Sequence, residues 1–534
     1  MRRKCSTGAV REIKDYDVIV IGSGIGGLAA AAVLAKLKNR RVLVLERHFQ
    51  PGGQTHAFTR HGRWHFDVGL HYVGQMATGK ATRKVMDFIT GGRVAWNRMP
   101  EALERFIYPD FTFTAHADPQ KYEADLAALF PAERSALRRY FRDALKSAFW
   151  YGFRQMANGF PPPVKLAARG AYALFGGHAR MTTKEYLDRH FSDARLKALL
   201  ASQWPDYGLP PSQSAFGFHG VIVTHYLEGA WYPEGGAGRI AAGIIPEIER
   251  AGGHVRTGMN VTRIIVKDGA AIGVAVSING GEELFHAPVV ISDAGAVNTY
   301  CSLLPPDVPI PFRHELAAFP VGVSAFVLYL CLKDSPARLG FDGGNTWVYE
   351  SYDHGEMLAA ARGGNGPMAY FLSFPSLKDP KATAHTGEVL VAAGYDEWKR
   401  WAGRGWRKRD KEYYAFKEAF AQKILAKVDA RFPGLKDMVA HYDVSSPLTM
   451  EYFQGNPAGA FYGIPCVPSR PEQQWSCPVT PVKNLYLAGS DAMSPGIVGA
   501  MMGGIMAVAA TEGSTGMVKV MGNILRAAPP SADG

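Results

Sequence analysis

The stretch YDVIVIGSGIGGLAAAAVLAKLKNRRVLVLERHFQPGG, residues 16–53, decides the fold. The apolar run before the glycines predicts a strand, GSGIGG (22–27) predicts a tight turn, and the alanine-rich run after it predicts a helix. A second apolar run, 42–45, predicts another strand, which ends on Glu46. A glycine-rich turn alone is a weak signal, but here the flanking strand, the helix and the acidic residue agree. The pattern predicts a dinucleotide-binding βαβ unit.

Each part of this stretch has a physical role in that interpretation. Gly22 permits the tight turn out of the strand, Gly24 lets the backbone approach a pyrophosphate, and Gly27 lets the helix pack closely on the sheet. The N-terminus of the helix offers unpaired N–H groups and the positive end of its dipole to the phosphates. Glu46, about 20 residues after the glycines, is placed to accept hydrogen bonds from ribose hydroxyls.

Size and composition bound the class of protein. A chain of 534 residues is too long for one simple core, and a hydrophobic fraction of 47% with 20% charged residues is typical of a folded protein. The five cysteines are scattered and show no metal-ligand spacing, which indicates a reducing compartment without structural disulfides. The basic N-terminus lacks an apolar region after it, and no apolar run reaches the ~18–20 residues of a membrane span. We therefore expect a cytoplasmic protein, at most peripheral on a membrane.

The rest of the chain alternates helical and extended patterns. Asp118-Pro119 predicts a helix start, Phe160–Pro163 a break, and Thr183 the N-cap of a further helix. Periodicity predicts helices over 238–250 and 413–432, and strands over 254–257, 261–266, 272–278, 287–293 and 321–332. Residues 58–74 predict a hairpin followed by a glycine-flanked turn that lets backbone approach a flat ring. The aromatic, Gly- and Pro-rich stretch 203–236 suggests one wall of an apolar cavity.

A second nucleotide signal lies near the other end of the chain. The run Asn484–Leu487 predicts a buried strand, followed by Gly489 and Asp491 and then a helix that begins at Pro495-Gly496. Asp491 is suited to a ribityl or ribose hydroxyl, and the N-terminus of the helix to the pyrimidine edge of a reduced flavin. A plain buried helix after a strand is the alternative. Because two motifs more than 400 residues apart must share one cofactor and no second GxGxxG follows a strand, we predict non-covalent FAD.

With both ends in view, the chain resembles the amine-oxidase-like flavoproteins, and within them the phytoene desaturase, carotenoid isomerase and retinol saturase group. The resemblance covers nearly the whole chain and is closest to the retinol saturase and carotenoid isomerase branch. The motifs that carry it are GSGIGGL (22–28), LERHFQPGG (45–53), FDVGLHYVG (66–74), DYGLPPSQSAF (206–216), YPEGG (232–236), VISDAG (290–295) and LYLAGSD…SPGIVGAMMGG (485–504).

The resemblance implies an α/β fold. A discontinuous Rossmann-type FAD-binding domain would carry an inserted α+β substrate domain with a helical part that faces solvent or a membrane. We expect FAD-binding segments at 16–100, 230–310 and 435–515, and substrate-domain segments at 101–229, with the helical cap, and 311–434.

From the motifs and the resemblance together we expect the following residues at the cofactor: Gly22, Ser23, Gly24, Ile25, Gly26, Gly27, Glu46, Arg47, Gly52, Gly53, Gln54, Thr55, Gly69, Leu70, His71, Val261, Gly489, Asp491, Gly496, Ile497 and Val498. No metal site is expected.

The resemblance implies substrates that are long, apolar and unsaturated, such as retinoids, carotenoids or other polyene lipids. Saturation of a C=C bond by reduced flavin is the favoured reaction, and desaturation or cis–trans isomerisation are the alternatives. An amine oxidase or a non-catalytic lipid-binding protein is less favoured. Saturation needs a proton donor, for which the candidates are His71, His225 and Tyr226; for each, a structural side chain is the alternative. The electron partner is unknown.

Segment 134–180 carries most of the unusual charge. It holds nine basic residues against one acid, Asp143, interleaved with Phe and Trp side chains. Basic side chains suit anionic headgroups and aromatic side chains suit the acyl boundary, so we expect either an anionic membrane surface or a solvated basic helix there. Nucleic acid is not an expected partner because the flavin motifs account for the rest of the chain.

Overall fold

The computed structural model describes residues 11–13, 16–278, 281–363, 366 and 368–527. Residues 1–10, which include most of the basic N-terminus, lie outside the described residues. The strands, in chain order, are β1 Arg11–Ile13, β2 Val18–Ile21, β3 Val42–Leu45, β4 Ala57–Arg60, β5 Trp64–Asp67, β6 Val73–Gly74, β7 Trp96–Arg98, β8 Ala102–Ile107, β9 Thr112–His116, β10 Ala230–Pro233, β11 His254–Arg256, β12 Asn260–Lys267, β13 Ala270–Ile278, β14 Gly281–His286, β15 Val289–Ser292, β16 Ser324–Leu332, β17 Asn345–Tyr349, β18 Ala369–Ser373, β19 His385–Ala393, β20 Val439–Ser445 and β21 Leu485–Leu487.

The α-helices lie between and around these strands. They are α1 Ile25–Lys38, α2 Ala81–Thr90, α3 Pro119–Leu129, α4 Arg134–Met156, α5 Pro162–Phe175, α6 Thr183–His190, α7 Ala194–Leu200, α8 Phe216–Tyr226, α9 Gly238–Glu249, α10 Arg313–Ala317, α11 His354–Arg362, α12 Pro375–Lys378, α13 Lys411–Arg431, α14 Leu435–Met438, α15 Pro447–Gln454, α16 Ile497–Thr511 and α17 Gly516–Ala527.

A parallel five-stranded sheet joins the two ends of the chain. Its order is β11-β3-β2-β15-β21, so the first strand of the glycine motif and the strand before Asp491 both pair with β15. Helix α1 contains four consecutive alanines, residues 29–32, which favour helix, and Asn39 ends it in the left-handed conformation with φ 48°. The apolar sides of α1, α9 and α16 form one core beneath this sheet. The predicted Rossmann-type arrangement is confirmed.

A second, seven-stranded mixed sheet lies beside the first. Its order is β20-β16-β19-β18-β17-β8-β9, and helix α13 packs its apolar face on it through Phe420, Ile424 and Val428. Strand β16 pairs at both edges, with β19 and β20. Its side chains after Ser324 are mostly apolar because both faces are buried: Phe326, Leu328 and Leu330 lie in one apolar cluster, and Val327, Tyr329 and Cys331 lie in another. The prediction placed its start at Val321, three residues before the observed start.

Side-chain capping determines where helices α3 and α6 begin. Asp118 caps α3 as predicted, with its carboxylate accepting from the N–H groups of Gln120 and Lys121. The N-cap of α6 is Thr182 rather than the predicted Thr183, because Thr182 can form a reciprocal capping box with Glu185. Helix α5 begins at Pro162, since proline is tolerated in the first turn of a helix.

Helices α4 and α5 carry an unusual surface. Large apolar side chains on them are exposed, with relative accessibilities of 62% for Phe149, 72% for Leu166 and 78% for Leu174. In the part of the chain that the structure describes, no helix combines the length and apolar character needed to cross a bilayer.

Candidate functional site: a groove joining both ends of the chain

A large cavity of about 870 Å³ lies along the carboxyl end of the five-stranded sheet. Its walls come from the first glycine turn, the end of β3, the start of β12, the turn after β15 and the N-terminus of α16. Ligands of open α/β sheets bind in this position, outside the carboxyl ends of the strands. The parallel pairing of β2, β15 and β21 therefore assembles one groove from motifs more than 400 residues apart.

The first glycine turn is held by close backbone packing. Gly22 has φ +96°, a conformation that glycine adopts readily and other residues do not. A Cβ atom at Gly26 would lie 2.5 Å from the Cα atom of Gly489 and 2.6 Å from Oδ1 of Asp293. The turn before α1 thus lies directly against the strand end that leads to Asp491.

Glu46 ends β3 beside this turn and is nearly fully buried. Its Oε2 atom accepts hydrogen bonds from the backbone N–H of Ser23 at 2.8 Å and from the Ser23 hydroxyl at 2.7 Å. Its Oε1 atom accepts from the N–H of His48 at 2.7 Å. The carboxylate is therefore fixed at the edge of the groove with its remaining lone pairs available to a sugar hydroxyl.

Asp293, directly after β15, lies against both the glycine turn and Gly489 of the second nucleotide motif, and it was not among the predicted site residues. Burial, together with the nearby carboxylates of Glu46 and Asp491, raises the pKa of Asp293 to about 7. The N–H of Gly27 donates to it and opposes this rise. A carboxyl group that holds a proton near neutral pH joins the strand end of β15 to the N-terminus of α1.

The opposite end of the groove is organised by Asp491. Its Oδ2 atom accepts from the N–H of Ala296 at 2.8 Å and its Oδ1 atom from the N–H of Ile464 at 3.1 Å. Gly496 caps α16 with φ +85°, so the first N–H groups of this apolar helix face the cavity. A helix N-terminus without acidic side chains in its first turn presents uncompensated positive dipole to a ligand.

The structure brings most of the predicted cofactor residues to this cavity. Those that line it are Gly22, Gly24, Ile25, Gly26, Glu46, Arg47, Gly53, Gln54, Thr55, Gly69, Val261, Asp491, Gly496 and Ile497. The others lie behind them in the wall or in neighbouring elements: Ser23, Gly27, Gly52, Leu70, His71, Gly489 and Val498. Residues 203–236 do not line this cavity; they lie mainly in the hydrophobic core around α8.

The three proton-donor candidates also lie outside the lining of the cavity. His71 follows Gly69, which does line it, and the Nδ1 atom of His71 lies 2.9 Å from Oε2 of Glu388. Burial, together with the Lys378 ammonium and against the attraction of Asp67, lowers the pKa of His71 to about 3, so the imidazole is neutral at neutral pH.

The other two candidates are held in structural contacts. The Nε2 atom of His225 accepts from the N–H of Gly74 at 2.9 Å, and burial lowers the pKa of His225 to about 4. The ring of Tyr226 stacks on that of Tyr72, with 4.3 Å between the centroids. Both side chains are therefore packed in the wall that the stretch 203–236 shares with the turn at residues 66–74.

A buried acid cluster lies beneath His71, and sequence reasoning missed it. It consists of Asp67, Glu104, Asp206 and Glu388 around one ammonium group, Lys378. The Lys378 Nζ atom donates to the carbonyl oxygen of His71 at 2.9 Å, and it also donates to the side chains of Asn345 and Ser373.

The carboxyl groups of this acid cluster hold protons near neutral pH. Burial raises the pKa of Glu388 to about 8, while Lys378 lowers it. Burial raises the pKa of both Asp67 and Glu104 to about 7, and that of Asp206 well above its ordinary value. Burial also lowers the pKa of Lys378 to about 8, against the attraction of the carboxylates. Four carboxyl groups share one cation, so some of them remain neutral.

The geometry fits FAD. The N-terminus of α1 and the glycine turn before it suit a pyrophosphate, Glu46 suits a ribose, and Asp491 with the N-terminus of α16 suits the ribityl chain and flavin ring. A shorter nicotinamide cofactor would leave the Asp491 end without a function.

Comparison with known proteins also indicates a Rossmann-like nucleotide-binding domain and a flavoenzyme fold. Residues 20–89 match the NAD(P)-binding Rossmann-like domain family. All-trans-retinol 13,14-reductase of Danio rerio is 33% identical over 525 residues, covering 93% of this chain and 86% of that protein. Prolycopene isomerase 1, chloroplastic, of an Oncidium hybrid cultivar is 28% identical over 548 residues, covering 96% and 86%. The structure of cyclohexylamine oxidase from Brevibacterium oxydans IH-35A superposes with a TM-score of 0.60 at 18% identity, covering 96% and 99%.

The fold and the groove define an FAD-dependent flavoenzyme with an amine-oxidase-like architecture, and at 18% identity the structural likeness shows the fold alone. The sequence relatives narrow the class. The chain belongs to the family of all-trans-retinol 13,14-reductases and is also similar to prolycopene isomerase, and it is an oxidoreductase acting on CH–CH groups. The predicted cofactor and reaction class are confirmed.

Proposed function

We propose that this enzyme saturates one C=C bond of a long apolar polyene of the retinoid class. The observation that carries this proposal is the 33% identity with a retinol 13,14-reductase over almost the whole of both chains. FAD supplies hydride transfer when bound, and the protein must present one double bond to it and exclude water. The match to a carotenoid isomerase favours cis–trans isomerisation of a polyene as the second candidate.

The cofactor contacts follow from the groove. We assign the pyrophosphate to the turn 22–27 and the loop 52–55, the adenosine to Glu46, Arg47 and Val261, and the ribityl chain and flavin ring to residues 69–71, 489–491 and 496–498. The five-segment division into FAD-binding and substrate domains stays a prediction.

Saturation also needs a proton, for which His71 with Glu388 is the favoured pair. Glu388 holds a proton at neutral pH, because its pKa is raised to about 8 by burial, and it lies 2.9 Å from Nδ1 of His71. A neutral imidazole can take a proton at one nitrogen and release the other. His225 and Tyr226 remain weaker candidates because their side chains are engaged elsewhere.

The reaction is tested by reducing the FAD-loaded enzyme with dithionite under anaerobic conditions and adding all-trans-retinol, a carotenoid or an unsaturated fatty acyl lipid. We expect a retinoid product heavier by two hydrogens in mass spectrometry. No change in mass with an altered geometry supports the isomerase, and a loss of two hydrogens with oxidised enzyme supports a desaturase.

In the same assay, His71→Ala with normal FAD content is expected to lower turnover about 100-fold or more. Full turnover removes His71 as the donor.

We further propose that the enzyme works in the cytoplasm, peripherally on an anionic membrane. Its docking surface would be the exposed apolar side chains of α4 and α5, which are Leu145, Phe149, Phe153, Met156, Val164, Leu166, Leu174 and Phe175. Exposed arginines flank it, with Arg138 at 72% and Arg142 at 73% side-chain accessibility. Apolar contact and basic charge together suit an anionic bilayer.

Flotation with vesicles of anionic and of neutral lipid tests this surface. We expect the protein to float with anionic vesicles and the variant Leu166→Ser/Leu174→Ser to lose most of that binding, because about 2 kcal/mol of apolar transfer is lost per side chain. Neutralising Arg138, Arg139 and Arg142 should also reduce binding to the anionic vesicles. Val518→Ser, which changes a 70% exposed side chain on α17, is the matched control. Equal flotation of all variants contradicts the proposal.

A further inference from the structure

The cavity extends past the cofactor groove into a second region, which we call the basic arm. Its lining includes Phe58 and Arg60 of β4, Tyr329 of β16, Arg409, Lys417 of α13 and Asp443 of β20. Strand β4, the segment before α13 and α13 itself each bring one cation to this region, and the cofactor motifs use none of them.

Only one of the three cations is neutralised by a carboxylate. The Nε and Nη2 atoms of Arg60 lie 2.6 and 2.5 Å from Oδ2 of Asp443. Within the described residues, the Lys417 ammonium makes no hydrogen bond and no ion pair within 4 Å, and the buried Nε atom of Arg409 has no acceptor. The Nη2 atom of Arg409 donates to the carbonyl oxygen of Leu448 at 3.2 Å. The basic arm thus holds more positive charge than its own acids balance.

The partial burial of the Lys417 ammonium and the Arg409 guanidinium makes their lack of a carboxylate partner energetically costly. Burial lowers the pKa of Lys417, Arg409 and Arg60 act in the same direction, and Asp443 and Glu418 oppose them; the resulting pKa of about 8 leaves the ammonium largely charged at neutral pH. Lys417 and Arg409 are both half-buried. A charge that is partly removed from water and has no partner costs free energy, so a site that holds such charges gains stability when an anion enters. Aromatic side chains surround them, and the guanidinium of Arg409 lies 4.9 Å from the ring centroid of Tyr413.

We propose that the basic arm binds the oxyanion end group of an amphipathic ligand, through Lys417 and Arg409, while the ligand's apolar or planar part lies along the aromatic lining of the cavity. This deepens the proposed function, on which it rests. The oxyanion has two possible sources: a carboxylate on the polyene substrate itself, or the phosphates of a nicotinamide dinucleotide that returns electrons to the enzyme. Ammonium and guanidinium groups bind both kinds of oxyanion.

Calorimetric titration of the FAD-loaded enzyme separates the two sources by using pairs of probes that differ in charge. Retinoic acid is compared with all-trans-retinol, and NADPH with reduced nicotinamide riboside, which lacks the phosphates. We expect one anionic probe to bind more tightly than its uncharged partner. Lys417→Met and Arg409→Gln should each raise the Kd of that probe about tenfold or more and leave the uncharged probe unchanged. Lys411→Met, an exposed change on the same helix, is the matched control.

Each outcome bears on the proposal. Selective loss of retinoic acid binding assigns the arm to a substrate end group, and selective loss of NADPH binding assigns it to an electron donor. Equal affinity within both pairs overturns the proposal. Loss of FAD from the Lys417 variant, measured by absorbance, also overturns it, because the arm would then belong to the cofactor site. If binding of the anionic probe requires Lys417 but the enzyme adds no hydrogen to retinol, the proposed oxyanion site is supported and the proposed saturation reaction is contradicted.

Discussion

Gly26→Ala is expected to purify with little FAD. The added Cβ atom would lie 2.5 Å from Cα of Gly489 and 2.7 Å from its backbone nitrogen, so backbone rather than a flexible side chain would have to move. Overpacking of this kind costs about 1–3 kcal/mol, and here the shift separates the glycine turn from the strand end that leads to Asp491. We expect FAD affinity to fall about tenfold or more. The ratio of flavin to protein absorbance after purification measures it directly.

The control for this prediction is Gly170→Ala in α5, where an added Cβ atom has no neighbour within 4 Å. Alanine is the better helix former by about 1 kcal/mol, so this variant should keep its FAD and its thermal stability. A Gly26→Ala enzyme with full FAD content and an unchanged Tm contradicts the view that both ends of the chain build one groove.

The cofactor end of the site was predictable because its chemistry is local. The turn 22–27, Glu46 and Asp491 are each recognisable from a few residues of sequence, since strand, turn and helix signals surround them. If the two motifs bind one cofactor together, their strands must lie in the same sheet. The parallel pairing of β2 and β21 with β15 meets this requirement. Asp293 was the exception, because its place between Gly27 and Gly489 depends on how three motifs meet.

The substrate end was not predictable for a physical reason. Glu104, Lys378 and Glu388 come from β8, α12 and β19 and meet through the seven-stranded sheet, so no sequence window contains more than two members of the acid cluster. Their polar identity inside apolar strands is the one available signal, since ionisable residues are rarely fully buried without a partner. The cations of the basic arm are hidden in the same way.

Lys378→Met is expected to destabilise the protein in a strongly pH-dependent manner. The change removes three hydrogen bonds, to His71, Asn345 and Ser373, at a cost of about 1 kcal/mol each. It also removes the ammonium that favours the ionised forms of Glu104 and Glu388, so their pKa values should rise further.

The sign follows from proton linkage. In the wild type the folded pKa values of Glu388, Asp67 and Glu104, at about 8, 7 and 7, lie above the ordinary carboxyl values of 4.5, 3.8 and 4.5. Their contribution to stability is therefore full below about pH 4 and is lost as pH rises through 7 to 8. Histidines with lowered pKa values, His71 and His225, act oppositely but only below their ordinary value of 6.5. Between pH 6.5 and 8, the carboxyl groups rather than the histidines determine how the free energy of unfolding changes with pH.

In the variant, that loss should become larger and extend above pH 8, because ionised carboxylates would have no cation. Lys378 itself, with a pKa of about 8, adds to the difference above pH 8, since the wild type gains stability from it there. We expect Tm to fall by about 5 °C at pH 6 and by at least twice that at pH 8.5. Lys381→Met, at a side chain 71% exposed, should show no such trend in the same calorimetric series. A Tm loss that is equal at both pH values contradicts the view that these carboxyl groups depend on one buried cation.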